Sequence, residues 1–114
     1  LPSTSKFVCE FLGYEQFLTA SSGVEACENA CKLARKWGYT VKGIPEDFAD
    51  IVLPNGTFWG RTITAGGNCS DPNRGKFFGP QTPGFPLVPY NDVEALESYL
   101  ASNPNVCAIM FEPI

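Results

Sequence analysis

The chain has 114 residues, 44% of them hydrophobic and 18% charged, a composition that folds around one modest core and excludes a disordered segment. Eight basic residues against twelve acidic ones give a net charge of −4, which argues against a nucleic-acid role, because neutralising phosphates requires a basic face. No apolar run is long enough for a transmembrane helix, and no signal-peptide pattern opens the chain.

Residues 5–13 read as the end of a helix stopped by Gly13, and Tyr14 to Ala20, with aromatic and β-branched content, as a strand. Ser21-Ser22-Gly23 is a tight turn. A helix follows from about Val24 to Trp37, with Val24, Cys27, Ala30, Cys31, Ala34 and Trp37 on one face at helical spacing. Ser22 and Glu25 have the spacing of a capping box, and Glu28 and Lys32 form an i,i+4 pair in the favourable order. Lys32, Arg35 and Lys36, late in this helix, complement its dipole, and Gly38 is expected to end it. Asp50 to Leu53 is a short predicted strand, followed by a turn at Pro54-Asn55-Gly56. Thr57 to Thr64 is partly helical or irregular, and Ala65 to Pro86 is a loop rich in Gly, Pro and Asn, long enough to suggest a functional segment. Leu87 to Tyr90 is a strand. The next helix runs from about Val93 to Ala101, capped by Asn91 or Asp92, with Val93, Leu96, Tyr99 and Leu100 inward. The continuous apolar run Val106 to Phe111 predicts a strand buried on both faces. Alternating strands and helices define an α/β fold, a mostly parallel sheet with flanking helices. Residues 1–114 read as a single partial domain. The absence of an initiator Met before Leu1, and the stop at Ile114 just after an apolar run, lead us to expect truncation at both ends.

Five cysteines, with glycosylation sequons at Asn55-Gly56-Thr57 and Asn68-Cys69-Ser70, are compatible with a secreted disulfide domain. The odd count, and the placing of Cys27 and Cys31 one helical turn apart, favour reduced, apolar thiols in an intracellular protein. With no histidine and no CxxC spacing, a metal site is not expected.

Three local features admit both a functional and a purely structural reading. The Ser-Ser-Gly turn before a capped helix offers unpaired backbone N–H groups at a positive dipole end, with Gly23 permitting close approach of an anion; an ordinary capped turn has the same sequence. Phe58-Trp59-Gly60-Arg61 places aromatic faces for a flat ring beside a guanidinium able to grip a carboxylate with two parallel bonds; a core aromatic pair with a surface Arg would read identically. Glu112 follows the last strand, at the carboxyl edge where open α/β sheets bind ligands; a solvated loop carboxylate is its alternative.

Ser22-Gly23-Val24-Glu25-Ala26 and the stretch Ala30 to Tyr39 (Ala-Cys-Lys-Leu-Ala-Arg-Lys-Trp-Gly-Tyr) resemble the ornithine aminotransferase branch of the class III aminotransferases almost residue for residue. The resemblance continues through Val41-Lys42-Gly43-Ile44, Phe58-Trp59-Gly60-Arg61-Thr62, Ser70-Asp71-Pro72, Phe78-Gly79-Pro80, Pro83-Gly84-Phe85, Pro89-Tyr90-Asn91-Asp92, Asn103-Pro104-Asn105-Val106 and Phe111-Glu112-Pro113-Ile114. It implies part of the large cofactor-binding domain of a fold type I enzyme dependent on pyridoxal 5′-phosphate. Such enzymes move the δ-amino group of L-ornithine to 2-oxoglutarate, giving glutamate semialdehyde and glutamate. By the same resemblance, Gly23 and Val24 hold the cofactor phosphate through backbone N–H groups with Ser22 beside them. Phe58 stacks on the pyridine ring, Arg61 binds the substrate carboxylate, and Glu112 lies in the site wall. A homodimer in the mitochondrial matrix, or in the cytosol in some lineages, is also implied. The alternatives are a class III enzyme acting on acetylornithine or 4-aminobutyrate, or a non-enzymatic module derived from this domain.

The first twenty residues match the family weakly, and residues 66–76 depart from it, with Gly66-Gly67-Asn68-Cys69 where small polar residues are usual. Neither departure is expected to touch the ligand residues. The family's Schiff-base lysine and the Asp that pairs the pyridine nitrogen are expected outside the chain. Lys32, Lys36 and Lys42 match other family positions, so these 114 residues alone are expected to be inactive.

Overall fold

Ile51, Val52 and Leu53 are consecutive β-branched or aliphatic residues, and they occupy the centre of the molecule, at 1%, 0% and 0% exposure. Burial of each contributes about 1.5–3 kcal/mol. The computed structural model describes residues 2–114, and in it these three lie in strand β1 (Asp50–Pro54). β1 is the middle strand of a three-stranded parallel sheet, flanked by β2 (Leu87–Val88) and β3 (Val106–Ile109). Leu53 pairs with Leu87 on one side, and Ile51 with Ala108 on the other.

Alternation along β1 sends Ile51 and Leu53 to one face of the sheet and Val52 to the other. On the first face they pack with Cys31, Val24, Cys27 and Ala34 of helix α2 (Gly23–Trp37), and with Trp59, Ala65 and Phe85. On the second, Val52, Val88 and Val106 pack against Leu96 and Tyr99 of a further helix, Val93–Ser102. Helices therefore cover both faces, as a parallel sheet requires. Helix α1 (Pro2–Leu12) precedes α2; Gly13 follows it at φ +74°, and the N–H of Tyr14 bonds the carbonyl of Cys9 at 3.0 Å. Between β1 and β2 stand two short helices, α3 (Ile63–Gly67) and α4 (Pro72–Gly75), so the Val93–Ser102 helix is α5.

The expected α/β architecture is present, with several local corrections. Tyr14 to Ala20 is not a strand: it pairs with nothing among the described residues, and all seven of its residues are exposed. The central, doubly buried strand is β1. β3 is an edge strand that ends at Ile109, and Phe111 is 62% exposed. Gly38 does not end α2. It keeps right-handed helical angles, and the chain continues as a π-helical turn (Gly38–Lys42) until Gly43, at φ +79°, breaks it. Gly38 is a packing glycine, since an added Cβ would lie 2.9 Å from the Cβ of Cys107. Ala30 and Trp37 of α2, and Val93 and Leu100 of α5, face solvent. Glu28 pairs with Thr62 and makes no ion pair with Lys32. The loop expected over Ala65 to Pro86 contains part of α3 and all of α4; Asp71 caps α4 through the N–H of Asn73, with Pro72 at its first position. Asp92, not Asn91, caps α5, its carboxylate accepting from the N–H of Ala95 at 2.9 Å.

All five cysteines are free thiols. Cys31 is 8% exposed; burial first, and the Glu28 carboxylate second, push its pKa up from 9.0 to about 11. At pH 8 about one Cys31 in a thousand is then ionised, and the thiolate is the reactive form. The native state keeps this proton where the unfolded chain releases it, so the contribution of Cys31 to stability declines as pH rises from 9.0 toward about 11. Native protein at pH 8 is expected to label at Cys31 with an aromatic disulfide reagent far more slowly than guanidinium-unfolded protein. Peptide mapping of the labelled cysteines checks this, and equal rates would contradict the burial.

Candidate active site

The carboxyl ends of all three strands converge on one edge. After β1, the turn at Pro54-Asn55-Gly56 leads into residues 57–62, its N–H of Thr57 bonding the carbonyl of Pro54 at 3.3 Å. After β2 come Tyr90 and Asn91, and after β3 comes Glu112. The N–H of Phe58 donates to Oε2 of Glu112 at 3.4 Å, and the hydroxyl of Tyr90 to the carbonyl of Pro113 at 3.5 Å, so the loops of the three strands are tied together. Glu112, Tyr90 and Thr57 line a hollow of about 350 Å³ there.

The N-terminus of α2 comes to the same edge. Ser22 is extended, its Oγ accepting from the N–H of Glu25 at 3.3 Å, while Oε2 of Glu25 accepts from the N–H of Ser21 at 2.8 Å. The box thus closes one residue earlier than its usual form. The N–H groups of Gly23 and Val24 find no protein acceptor among the described residues, as expected for the first turn of a helix. A Cβ on Gly23 would meet nothing within 4 Å. An open pair of donors at a positive dipole end suits a phosphate. The helix is locked to the strand loop by the Oγ1 of Thr62, which donates to Oε1 of Glu28 at 2.8 Å, and by Val24 abutting Gly60.

In Phe58-Trp59-Gly60-Arg61 the two aromatic residues part company. Trp59 is 7% exposed and packs on Phe85 at 5.5 Å in the core, so the structural reading holds for it. Phe58 is 41% exposed and lines a cleft of about 580 Å³ with Gly60, Arg61, Thr62, Arg74 and Phe78. The guanidinium carbon of Arg61 lies 6.0 Å from the centre of the Phe58 ring, and Arg61 has no carboxylate partner among the described residues. A partly exposed aromatic ring, a guanidinium with no carboxylate partner among the described residues and a helix N-terminus on adjacent loops fit a flat, phosphorylated heteroaromatic ring and a carboxylate substrate. No lysine lines the cleft; Lys42 is engaged elsewhere, donating to the carbonyl of Val106 at the start of β3 at 2.6 Å.

Thus Phe58 and Arg61 share one cleft, Val24 stands behind its Gly60 wall, Ser22 and Gly23 precede Val24, and Glu112 holds the Phe58 backbone from the neighbouring hollow. Sequence reasoning missed Arg74. Its guanidinium carbon sits 4.7 Å from the centre of the Phe58 ring, so the departing segment 66–76 does reach the site. The Asp71-Pro72 pair, a helix start, was the available signal that this stretch is a built turn.

Residues 3–114 match the family model described as aminotransferase class-III, and the chain belongs to that family. It is 50% identical over 109 residues to the mitochondrial ornithine aminotransferase of Rattus norvegicus, covering 96% of this chain and 25% of that protein. The ornithine aminotransferase of Plasmodium falciparum is 45% identical over the same share of this chain and 26% of its own. The fold matches the crystal structure of the ornithine aminotransferase from Toxoplasma gondii with a TM-score of 0.95 at 47% identity, over 99% of this chain and 27% of that one. An acetylornithine aminotransferase from Elizabethkingia anophelis matches with a TM-score of 0.73 at 36% identity, over 99% of this chain and 24% of that one. The chain spans about a quarter of the length of the curated relatives it matches. Among the described residues, no helix is long and apolar enough to cross a membrane.

Proposed function

We propose that these residues belong to an enzyme that moves the δ-amino group of L-ornithine to 2-oxoglutarate, giving glutamate semialdehyde and glutamate, with pyridoxal 5′-phosphate as cofactor. The observation that carries this reading is the meeting of the unpaired N–H groups of Gly23 and Val24 with the Phe58–Arg61 loop at one sheet edge. Its support from similarity is the 50% identity to a protein named ornithine aminotransferase and the naming of PLP at the active site of the Toxoplasma gondii relative. Gly23 and Val24 donate to the phosphate, with Ser22 fixing the first turn that presents them. Phe58 lies against the cofactor ring, and Glu112 fixes the Phe58 backbone. Arg61 grips the substrate carboxylate, which orients the far amino group. When bound, the cofactor supplies an electron sink for transfer of the amino group, and the protein supplies binding and orientation.

Residues 1–114 are one part of the large domain, and the lysine that attaches the cofactor comes from outside them. On their own they are therefore inactive, and an ornithine-dependent turnover assay on this segment tests that. A homodimer in the mitochondrial matrix is part of the proposal, supported by the mitochondrial names of the rat and Drosophila relatives; the cytosol is the alternative.

The test uses the whole protein that carries these residues. It is expected to be yellow, and to bleach when L-ornithine is added with no acceptor present. A yellow protein that ignores ornithine but bleaches with acetylornithine or 4-aminobutyrate would transfer the assignment to that donor. A colourless protein that takes up no pyridoxal phosphate would overturn the reading in favour of a non-enzymatic module.

A further inference from the structure

Asn55 is the only asparagine in the chain followed by glycine, and the pair stands in an exposed turn at the carboxyl end of β1. The turn is closed by the N–H of Thr57 on the carbonyl of Pro54 at 3.3 Å, with Gly56 at φ +86° where a left-handed residue is required. The N–H of Asn55 donates to the carbonyl of Val88 at 2.8 Å, whereas its side-chain amide has no hydrogen-bond partner among the described residues. Gly56 has no Cβ to shield its own nitrogen, and a Cβ built there would meet nothing within 4 Å, so no neighbour shields it from that side.

A mobile side-chain amide beside an unshielded backbone nitrogen permits an intramolecular reaction of a thermolabile residue. The Gly56 nitrogen gives its proton to hydroxide and attacks Cγ of Asn55. The new N–Cγ bond closes a succinimide ring, the Cγ–Nδ2 bond breaks, and ammonia leaves with a proton from water. Water then opens the ring. Opening at Cγ gives aspartate, and opening at the main-chain carbonyl of residue 55 gives isoaspartate, in which the backbone runs through Cγ. Water is consumed, ammonia is released, and no atom changes oxidation state. One contact opposes the first step: the N–H of Gly56 donates to Oγ of Ser70 at 2.7 Å, which retains the proton that must leave. Asn68 provides the contrast. It is 9% exposed, its Nδ2 donates to the carbonyl of Thr64 at 2.9 Å, and Cys69 follows it.

We propose that Asn55 is a modification site, converting spontaneously to isoaspartate and aspartate, and that the Ser70 hydroxyl slows the conversion by holding the Gly56 N–H. Both products bring a carboxylate to the hollow that Asn55 shares with Glu112. Isoaspartate also adds a methylene to the backbone just before Phe58, whose N–H donates to Glu112. On the aminotransferase reading above, this displaces the ring assigned to the cofactor, so conversion weakens cofactor binding as the protein ages.

The experiment ages the whole protein at mildly alkaline pH and follows Asn55 by peptide mapping that separates asparagine, aspartate and isoaspartate. Wild type is expected to convert at Asn55, with isoaspartate among the products, and not at Asn68. Ser70→Ala should convert Asn55 about three- to tenfold faster, the scale of one lost neutral hydrogen bond. Ser70→Thr keeps the hydroxyl and should stay near the wild-type rate. No conversion at Asn55 in wild type or in Ser70→Ala would overturn the modification site. Equal rates in the two proteins would overturn the role of Ser70, and so would an equal acceleration at Asn68, which would report general loosening. Titration of the aged protein with pyridoxal phosphate reads the consequence. Affinity should fall in step with isoaspartate, and Asn55→Gln, aged alike, should keep it, because glutamine would have to close a larger ring. Unchanged affinity in fully converted protein would overturn the link to the site. A protein that converts at Asn55 but takes up no pyridoxal phosphate when fresh would count instead against the proposed function and would leave the modification site standing.

Discussion

Replacing Arg61 by alanine is expected to lower kcat/KM for L-ornithine by about a hundredfold or more while leaving the cofactor bound. The magnitude follows from where the guanidinium stands. An exposed ion pair in water is worth about 0–1 kcal/mol, and a cleft that seats a substrate removes part of that water. A charge-assisted hydrogen bond contributes roughly 1.5–3 kcal/mol, and a fork makes two of them, so a loss of about 3 kcal/mol sits between the surface limit and the fully buried one. That is a factor of roughly a hundred. Arg61 has no carboxylate partner among the described residues, so its removal leaves no buried protein charge orphaned, and the effect should read as lost substrate binding. Because the α-carboxylate of ornithine is remote from the reacting δ-amino group, most of the change should fall on KM. Arg61→Lys keeps the charge but not the planar fork and should recover only part of the loss. Visible absorbance of the variants serves as the control for cofactor occupancy. If Arg61→Ala kept kcat/KM within threefold of wild type, Arg61 would not be the carboxylate ligand.

The parts of this molecule that were legible in its sequence are those where local and tertiary forces agree. The cap at Ser22, the apolar spacing of Val24, Cys27, Cys31 and Ala34, and burial against β1 all favour the same helix. The run Ile51 to Leu53 reads as a strand and is one. Tyr14 to Ala20 has strand-forming residues, but a strand exists only through its ladder, and among the described residues this segment has no partner. At Gly38 the error lay in which property of glycine was used. The sequence suggests a left-handed terminator, whereas the structure needs the missing Cβ beside Cys107. Phe58 and Trp59 are equivalent to any local pattern, and only the tertiary fold sends one into the core and the other to the cleft. Arg74 was hidden for a related reason. A helix of four residues is too short to show periodicity, and the glycines that let it pack look like those of a loop.

Gly60→Ala is expected to damage both stability and cofactor binding, through two separable costs. Gly60 has φ +148°, in the region that L-residues rarely adopt, which costs of order 1–3 kcal/mol for alanine. Its added Cβ would also fall 2.2 Å from Cγ2 and 2.7 Å from Cβ of Val24, more than 0.5 Å inside ordinary contact in both cases, with the Cβ of Ala65 behind at 3.3 Å. Relieving that overlap costs typically a further 1–3 kcal/mol. The overlap cannot be absorbed by a flexible side chain, because Val24 is β-branched and sits in the first turn of α2. The first turn must shift, and it carries the two N–H groups assigned to the phosphate. Gly56→Ala provides the comparison, since Gly56 has φ +86° but nothing within 4 Å of its added Cβ. It bears the conformational cost without the clash, so it should lower the thermal midpoint without weakening pyridoxal phosphate. Gly60→Ala should do both, with affinity down roughly tenfold or more for a displacement costing above about 1.4 kcal/mol. Adding Val24→Ala to Gly60→Ala removes the 2.2 Å contact and should restore part of the affinity but not the conformational cost. Apoprotein titrated with the cofactor, followed by visible absorbance and by thermal melting, separates these outcomes. Wild-type affinity in Gly60→Ala would mean that the α2 terminus does not hold the phosphate, and no gain from Val24→Ala would mean that the coupling does not run through the Gly60–Val24 contact.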